Sequence, residues 1–218
     1  KKSSDYKAGL KWFQDASKRT CTAKDSYTIL AGDTLTISED LRLVFKDATA
    51  LRIYGTLNIE GMLYMDGTTI HNYDSGIINI ERTPDATFPS LIASVLTNEG
   101  IINLEGKLGA SAFTNKGILN IEGNGWIYNT GTIINDYGAI SNNEGSLRSQ
   151  GTINNKGTIN NEGELENVYS GTINNEGTIN SDGDIINKGN AIINNYQSGT
   201  INNDGTLTNR EVTNTPNG

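Results

Sequence analysis

Residues 151–180 read GTINNKGTINNEGELENVYSGTINNEGTIN. The six-residue word Gly-Thr-Ile-Asn-Asn-x recurs through this stretch, and its alternation decides the fold. Successive side chains of an extended strand face opposite ways. In Thr152-Ile153-Asn154-Asn155, Ile153 therefore points inward, while Thr152 and Asn154 point outward. Asn155 falls on the inner side or at the corner. Lys156-Gly157 makes the bend, where glycine supplies the backbone freedom of a sharp turn. One word buries a single aliphatic side chain, too little for a fold alone. Words stacked at about 4.8 Å turn that side chain into a continuous column and a thin core.

The glycines set the period. They fall at 151, 157 and 163, at 171, 177, 183 and 189, and at 199 and 205. The units 163–170 and 189–198 are longer than six. Grouped by threes, the stretches 131–150, 151–170, 171–188 and 189–210 hold 20, 20, 18 and 22 residues. The sequence thus predicts an all-β fold, a β-solenoid with short three-sided coils of 18–22 residues. A two-sided coil of about twelve residues is the competing grouping.

The expected core columns are Ile153, Ile159, Leu165, Ile173, Ile179, Ile185, Ile193, Ile201 and Leu207. The second asparagine of the word needs a partner, because an unpaired buried amide costs about 1–3 kcal/mol. In a stack the same amide recurs one coil above and one below, so a hydrogen-bonded ladder satisfies it. Asn155, Asn161, Asn175, Asn187 and Asn203 are the ladder candidates, with a corner role as the alternative, since asparagine tolerates left-handed backbone. The residue before glycine varies in sign, as at Lys156, Glu162, Glu176, Asp182, Lys188 and Asp204, which reads as a solvated rim.

Outside the array the signal weakens. Tyr6, Leu10, Phe13 and Ala16 have helical spacing, so residues 1–20 predict a short amphipathic helix within an N-terminal cap or linker, 1–23. The solenoid is expected over 24–210, irregular over 24–100 and regular over 100–210, with 211–218 as a tail. Residues 81–90, ERTPDATFPS, hold two of the three prolines and read as a loop leaving the stack.

The composition bounds the chemistry. The chain of 218 residues carries a net charge of -8, with 25 Gly and 29 Asn. Seventeen Lys and Arg, without clustering, argue against nucleic acid as a partner. No apolar run is long enough to span a membrane as a helix. One histidine, His71, and one cysteine, Cys21, leave no metal-ligand spacing and no supported catalytic constellation. No catalytic residue, cofactor or metal ligand is expected. Cys21 is either an inert buried thiol or an intermolecular disulfide partner. Trp126, Tyr128 and Tyr137 are candidates for a sugar platform, or else pack under a loop. Lys1 in place of an initial Met fits a removed leader or a trimmed chain.

The words GTINNKGTINNEG, GTINNEGTIN and SGTINNDGTLTN resemble the Asn/Gly-rich β-solenoid repeats of large cell-surface and adhesin-like proteins of archaea and bacteria. ILAGDTLTI, residues 29–37, is similar to the opening segment of such repeats. The resemblance implies an extracellular β-solenoid with a scaffolding or adhesive role. The repeat still runs at Gly199–Asn203, and the short polar tail after Asn209 looks too small to cover a coil. An open coil is a template for another chain. The expectation is a secreted homopolymer: a filament, tube or sheath in which the last coil stacks on residues 21–60 of a neighbour. The alternative is a surface adhesin or glycan-binding module, or a viral fibre.

Overall fold

The computed structural model describes residues 12–15, 20–46, 49–82 and 90–210. They form a parallel β-solenoid of about nine coils. Each coil lays down three short strands, and each strand pairs in parallel with its equivalents in the coils before and after. In one coil these are Ser146–Ser149, Thr152–Asn155 and Thr158–Asn161, here called its first, second and third faces. The third face is a separate sheet of nine strands. The first and second faces join in one sheet of sixteen strands. Four long strands, Met62–Asn72, Leu91–Asn98, Lys107–Asn115 and Trp126–Asn135, run through the corner between them. Three faces, not two, therefore make the coil.

Equal residues stack on equal residues. Ile133, Ile153 and Ile173 align on the second face, twenty residues apart. Leu147, Leu165 and Ile185 align on the first, 18 and 20 residues apart. The longer units are absorbed at corners: the strand Glu164–Asn167 reaches Thr172 through Val168–Gly171, where Tyr169 adopts a left-handed φ of 58°. Residues 81–90 fall between the strand Ile77–Ile80 and the next coil at Leu91, and 83–89 lie outside the described residues. Leu91 pairs with Leu63 across 28 residues, so the stack resumes after the insertion.

Glycine at the corners is a steric requirement. A Cβ at Gly151 would collide with the carbonyl of Gly131 directly beneath it. The core changes character along the axis. In the first two coils both inward positions are apolar, as in Leu43 with Phe45, Leu51 with Ile53 and Leu57 with Ile59. The second face turns first, with asparagine in the inner place from Asn72 onward, while the third face stays apolar through Leu119 with Ile121 and changes only at Ser141 with Asn143.

The expected N-terminal helix is corrected where the structure describes it. Trp12–Asp15 is a strand, β1, antiparallel to β2 (Thr20–Ala23). The rest of that expectation, 1–11 and 16–19, lies outside the described residues. The edge of β2 offers unpaired backbone donors and acceptors. Trp12 and Phe13 suit a strand, and a helix this short is marginal without packing. Pairing wins. It also occupies the first-face edge of the first coil, so that edge is not open to a neighbour's last coil.

Candidate functional site

The core takes the inward positions, and buried amides hold the coils in line. On the second face Asn72, Asn98, Asn115, Asn135, Asn155, Asn175 and Asn195 form one ladder. Each Nδ2 donates to the Oδ1 of the next coil at 2.7–3.0 Å. Asn155 Nδ2 also donates to the Thr178 carbonyl at 3.0 Å, where the next coil's third face begins. The same amide thus serves both ladder and corner. Asn161 accepts from Asn143 and donates to Ser181 on the third face, and Asn187 accepts from Asn167 and donates to Asn209 on the first. Asn203 donates to the Gly205 carbonyl. Ile153, Ile159, Leu165, Ile173, Ile179 and Ile185 are at most 2% exposed. Ile193 and Ile201 pack half-buried against them, and Leu207, in the last described coil, is 60% exposed.

Function therefore falls to the outer faces. The third face is the most regular. Thr34 and Thr56, then Ile77, Ile101, Ile118 and Ile140, then Thr158, Thr178 and Thr200 stand in one outward column. Beside it a second amide ladder runs from Asn58 through Asn79, Asn103, Asn120, Asn142, Asn160 and Asn180 to Asn202. Here each Nδ2 donates back to the preceding coil, at 2.8–3.0 Å. The two long ladders run in opposite senses.

The next residue of each coil, at the corner after the third face, is acidic eight times: Glu60, Glu81, Glu105, Glu122, Glu144, Glu162, Asp182 and Asp204. Each backbone N–H donates to the carbonyl that ends the third face one coil before, so the acidic positions stack one per coil. The sign alternation read along the sequence is a three-fold interleaving. Glu162, Asp182 and Asp204 belong to this corner, Lys156 and Glu176 to the corner between second and third faces, and Lys188 to the end of a first-face strand.

The end of the second face carries the histidine. His71 stacks on Tyr73, with ring centroids 3.8 Å apart, and Tyr73 stacks on Tyr54 at 4.2 Å. His71 Nε2 stands 3.1 Å from a Glu99 carboxylate oxygen, and Lys116 Nζ stands 3.4 Å from the other. The hydrogen bond from His71, aided by Lys116, holds the Glu99 carboxyl below the usual carboxylate range.

The first face carries two of the three aromatic candidates. Trp126 and Tyr128 point outward from one strand, their rings 5.9 Å apart and tilted by 48°. Lys107 Nζ lies 5.0 Å from the Trp126 ring centre, and Gln150 donates to the Tyr128 hydroxyl. Tyr128 stands between Gly109 and Arg148 of the neighbouring coils, and Gly109 brings no side chain to that flank. Further along, Arg148 and Lys188 both grip the buried Glu166 carboxylate, at 3.1 and 2.7 Å. Tyr137 is 71% exposed but stands before the third face. The three aromatic candidates are thus one pair and one separate residue.

The outline matches one known repeat. The sequence pattern of the haemagglutinin repeat fits residues 91–163 and again 138–211, together 121 of the 218 residues. The chain belongs to the haemagglutinin repeat family. That repeat is an adhesin-type, non-enzymatic β-helix, typical of secreted and surface adhesins. No curated protein and no solved structure matches the chain. The haemagglutinin repeat fits from Leu91 onward, yet the same three-faced coil extends back to Thr20.

Cys21 lies in the core, 5% exposed, and burial raises its pKa. Both features oppose the thiolate that disulfide exchange needs. Among the described residues no group of three or more His, Cys, Asp or Glu is placed to hold a metal. Sequence reasoning missed the outer amide ladder and the acidic column of this haemagglutinin repeat chain. The signal for the ladder was present: TLNI, IINI, IINL and ILNI, at 56–59, 77–80, 101–104 and 118–121, all put asparagine third.

Proposed function

We propose that the chain is an adhesive segment of a secreted or cell-surface protein, and that it binds glycans through the first face. The observation that carries this reading is the Trp126–Tyr128 pair, outward on a rigid sheet and edged by Lys107, Arg148 and Gln150. Aromatic rings present flat apolar area at small entropic cost, with polar groups beside them to take hydroxyls. The stacked coils below fix both rings, so little ordering remains at binding. The test is an array of immobilised glycans probed with the intact chain. Selective binding to a glycan class supports the reading, and an array without signal sinks it.

A second reading, head-to-tail assembly into a filament, tube or sheath, draws on the last described coil. Ile193 and Ile201, half-buried, and Leu207, exposed, line an apolar depression above Ile173, Ile179 and Ile185. The first coil of a second copy would cover it through its second and third faces, Tyr27–Ile29 and Thr34–Ile37, since β1 occupies the first-face edge, and the contact would propagate because it does not close. Negative-stain microscopy separates the two readings: long polymers support assembly, and discrete particles at high concentration exclude it.

A further inference from the structure

We propose that the third face is a docking strip for an extended basic polypeptide segment of another protein, one in which basic and aliphatic residues alternate. The strip has three parallel lanes. The first is the Thr/Ile column, in which Ile118 and Ile140 are 36% and 38% exposed. The second is the outer amide ladder. The third is the acidic column. Between the second and third lanes runs a groove lined by Asn120, Glu122, Asn142, Glu144, Asn160 and Glu162.

Neighbouring lanes are two residues apart along each strand, about 6.6 Å. An extended chain lying over the amide lane, parallel to the solenoid axis, sends alternate side chains to opposite sides. One set falls over the isoleucines and the other over the carboxylates. Each laddered asparagine keeps a second N–H and a second oxygen lone pair for the visiting backbone. Lys and Arg also lay aliphatic stems on apolar surface while their charged heads reach outward.

Charge selects the occupant. Carboxylates one coil apart, about 4.8 Å, sit closer than the roughly 7 Å at which two charges in water interact by RT. Among the described residues, none of Glu105, Glu122, Glu144, Glu162, Asp182 and Asp204 is in an ion pair. Such a column gathers counterions, and a polycation displaces them with a gain in entropy. A second copy does not supply the match, since among the described residues the cations are spread over the first face (Arg42, Lys107, Arg148), the second (Arg52) and several corners, with Arg82 beside Glu81 in the acidic column itself. The column from Glu105 to Asp204 spans five coil steps, about 24 Å, the length of about seven extended residues.

The test is fluorescence anisotropy on the intact chain with a labelled peptide of about ten alternating Lys and Val residues. The comparators are the same composition in two blocks, and spermine as competitor. Glu122→Gln, Glu144→Gln and Glu162→Gln combined should weaken binding about tenfold or more and flatten its salt dependence. Asp66→Asn, Asp74→Asn and Glu176→Gln combined remove the same charge elsewhere and should change it by less than about twofold. Ile140→Lys, a single exposed change, should weaken binding on its own. The proposal is overturned if both triple variants lose affinity equally, if the block peptide binds as well, or if spermine competes at equal charge. The column variant leaves Trp126 and Tyr128 untouched, so its glycan binding should equal the wild type. Failure here and failure of the adhesive reading are thereby separate results.

Discussion

Replacing Asn155 with alanine removes one rung from the middle of the buried amide ladder. Asn155 is fully buried. It accepts from Asn135 Nδ2 at 2.8 Å and donates to Asn175 Oδ1 at 2.7 Å and to the Thr178 carbonyl at 3.0 Å. Alanine deletes all three bonds. Asn135 keeps its bond to the Thr158 carbonyl at 2.9 Å. Its other N–H and the Asn175 oxygen each lose a partner where water does not reach, while the Thr178 carbonyl stays in its strand ladder. At about 1–3 kcal/mol for each of the two groups, the expected cost is about 2–6 kcal/mol. Asn154→Ala is the control. Its amide is half-buried on the outer side and accepts one bond from Asn174 at 2.9 Å. Water can replace that bond, so the expected cost is about 0.5 kcal/mol. The assay is urea unfolding followed by circular dichroism and tryptophan fluorescence. Free energies are taken only where both probes coincide, since stacked repeats can unfold in parts. If the two variants agree within about 0.5 kcal/mol, the buried ladder is not what holds the coils in line.

The other predictions concern corners, pH and the thiol. Gly151→Ala drives a Cβ into the Gly131 carbonyl and should cost more than about 2 kcal/mol in thermal melts, whereas Gly123→Ala, with open space around it, should stay within about 0.5 kcal/mol. Glu99 is held below the ordinary carboxylate range, chiefly by His71. Its contribution is therefore full above the ordinary carboxylate value and is lost as pH falls through the lower folded value. His71→Phe should shrink the loss of stability on acidification, and an unchanged pH profile of the urea midpoint would contradict this. Cys21 should react with a thiol reagent only on unfolding, and non-reducing gels of the native protein should show no dimer.

Much of the scaffold was legible because the word carries its own physics. Ile153 and Ile159 identified the inward column by alternation, and the glycine spacings summed to coils near twenty residues. Asn155 left two roles open, since one amide can bond along the axis and across the corner, and it does both. The outer faces were harder to read. Lys156, Glu162 and Glu176 alternate in sequence, but a three-sided coil deals successive turns to different corners, so an unbroken acidic column looks like mixed charge. Trp126, Tyr128 and Tyr137 are close in sequence, yet a corner separates the last from the pair. The spacing of Tyr6, Leu10, Phe13 and Ala16 pointed to a helix, while Trp12–Asp15 takes the edge of β2, a partner that local periodicity does not reveal.

Titration calorimetry of the strongest array glycan against the wild type, Trp126→Ala and Tyr128→Ala asks whether the first face binds. Both side chains point outward, so circular dichroism should be unchanged by either substitution. Each variant should lose about tenfold or more in affinity. Wild-type affinity in both variants would contradict the placement of the binding site on this face.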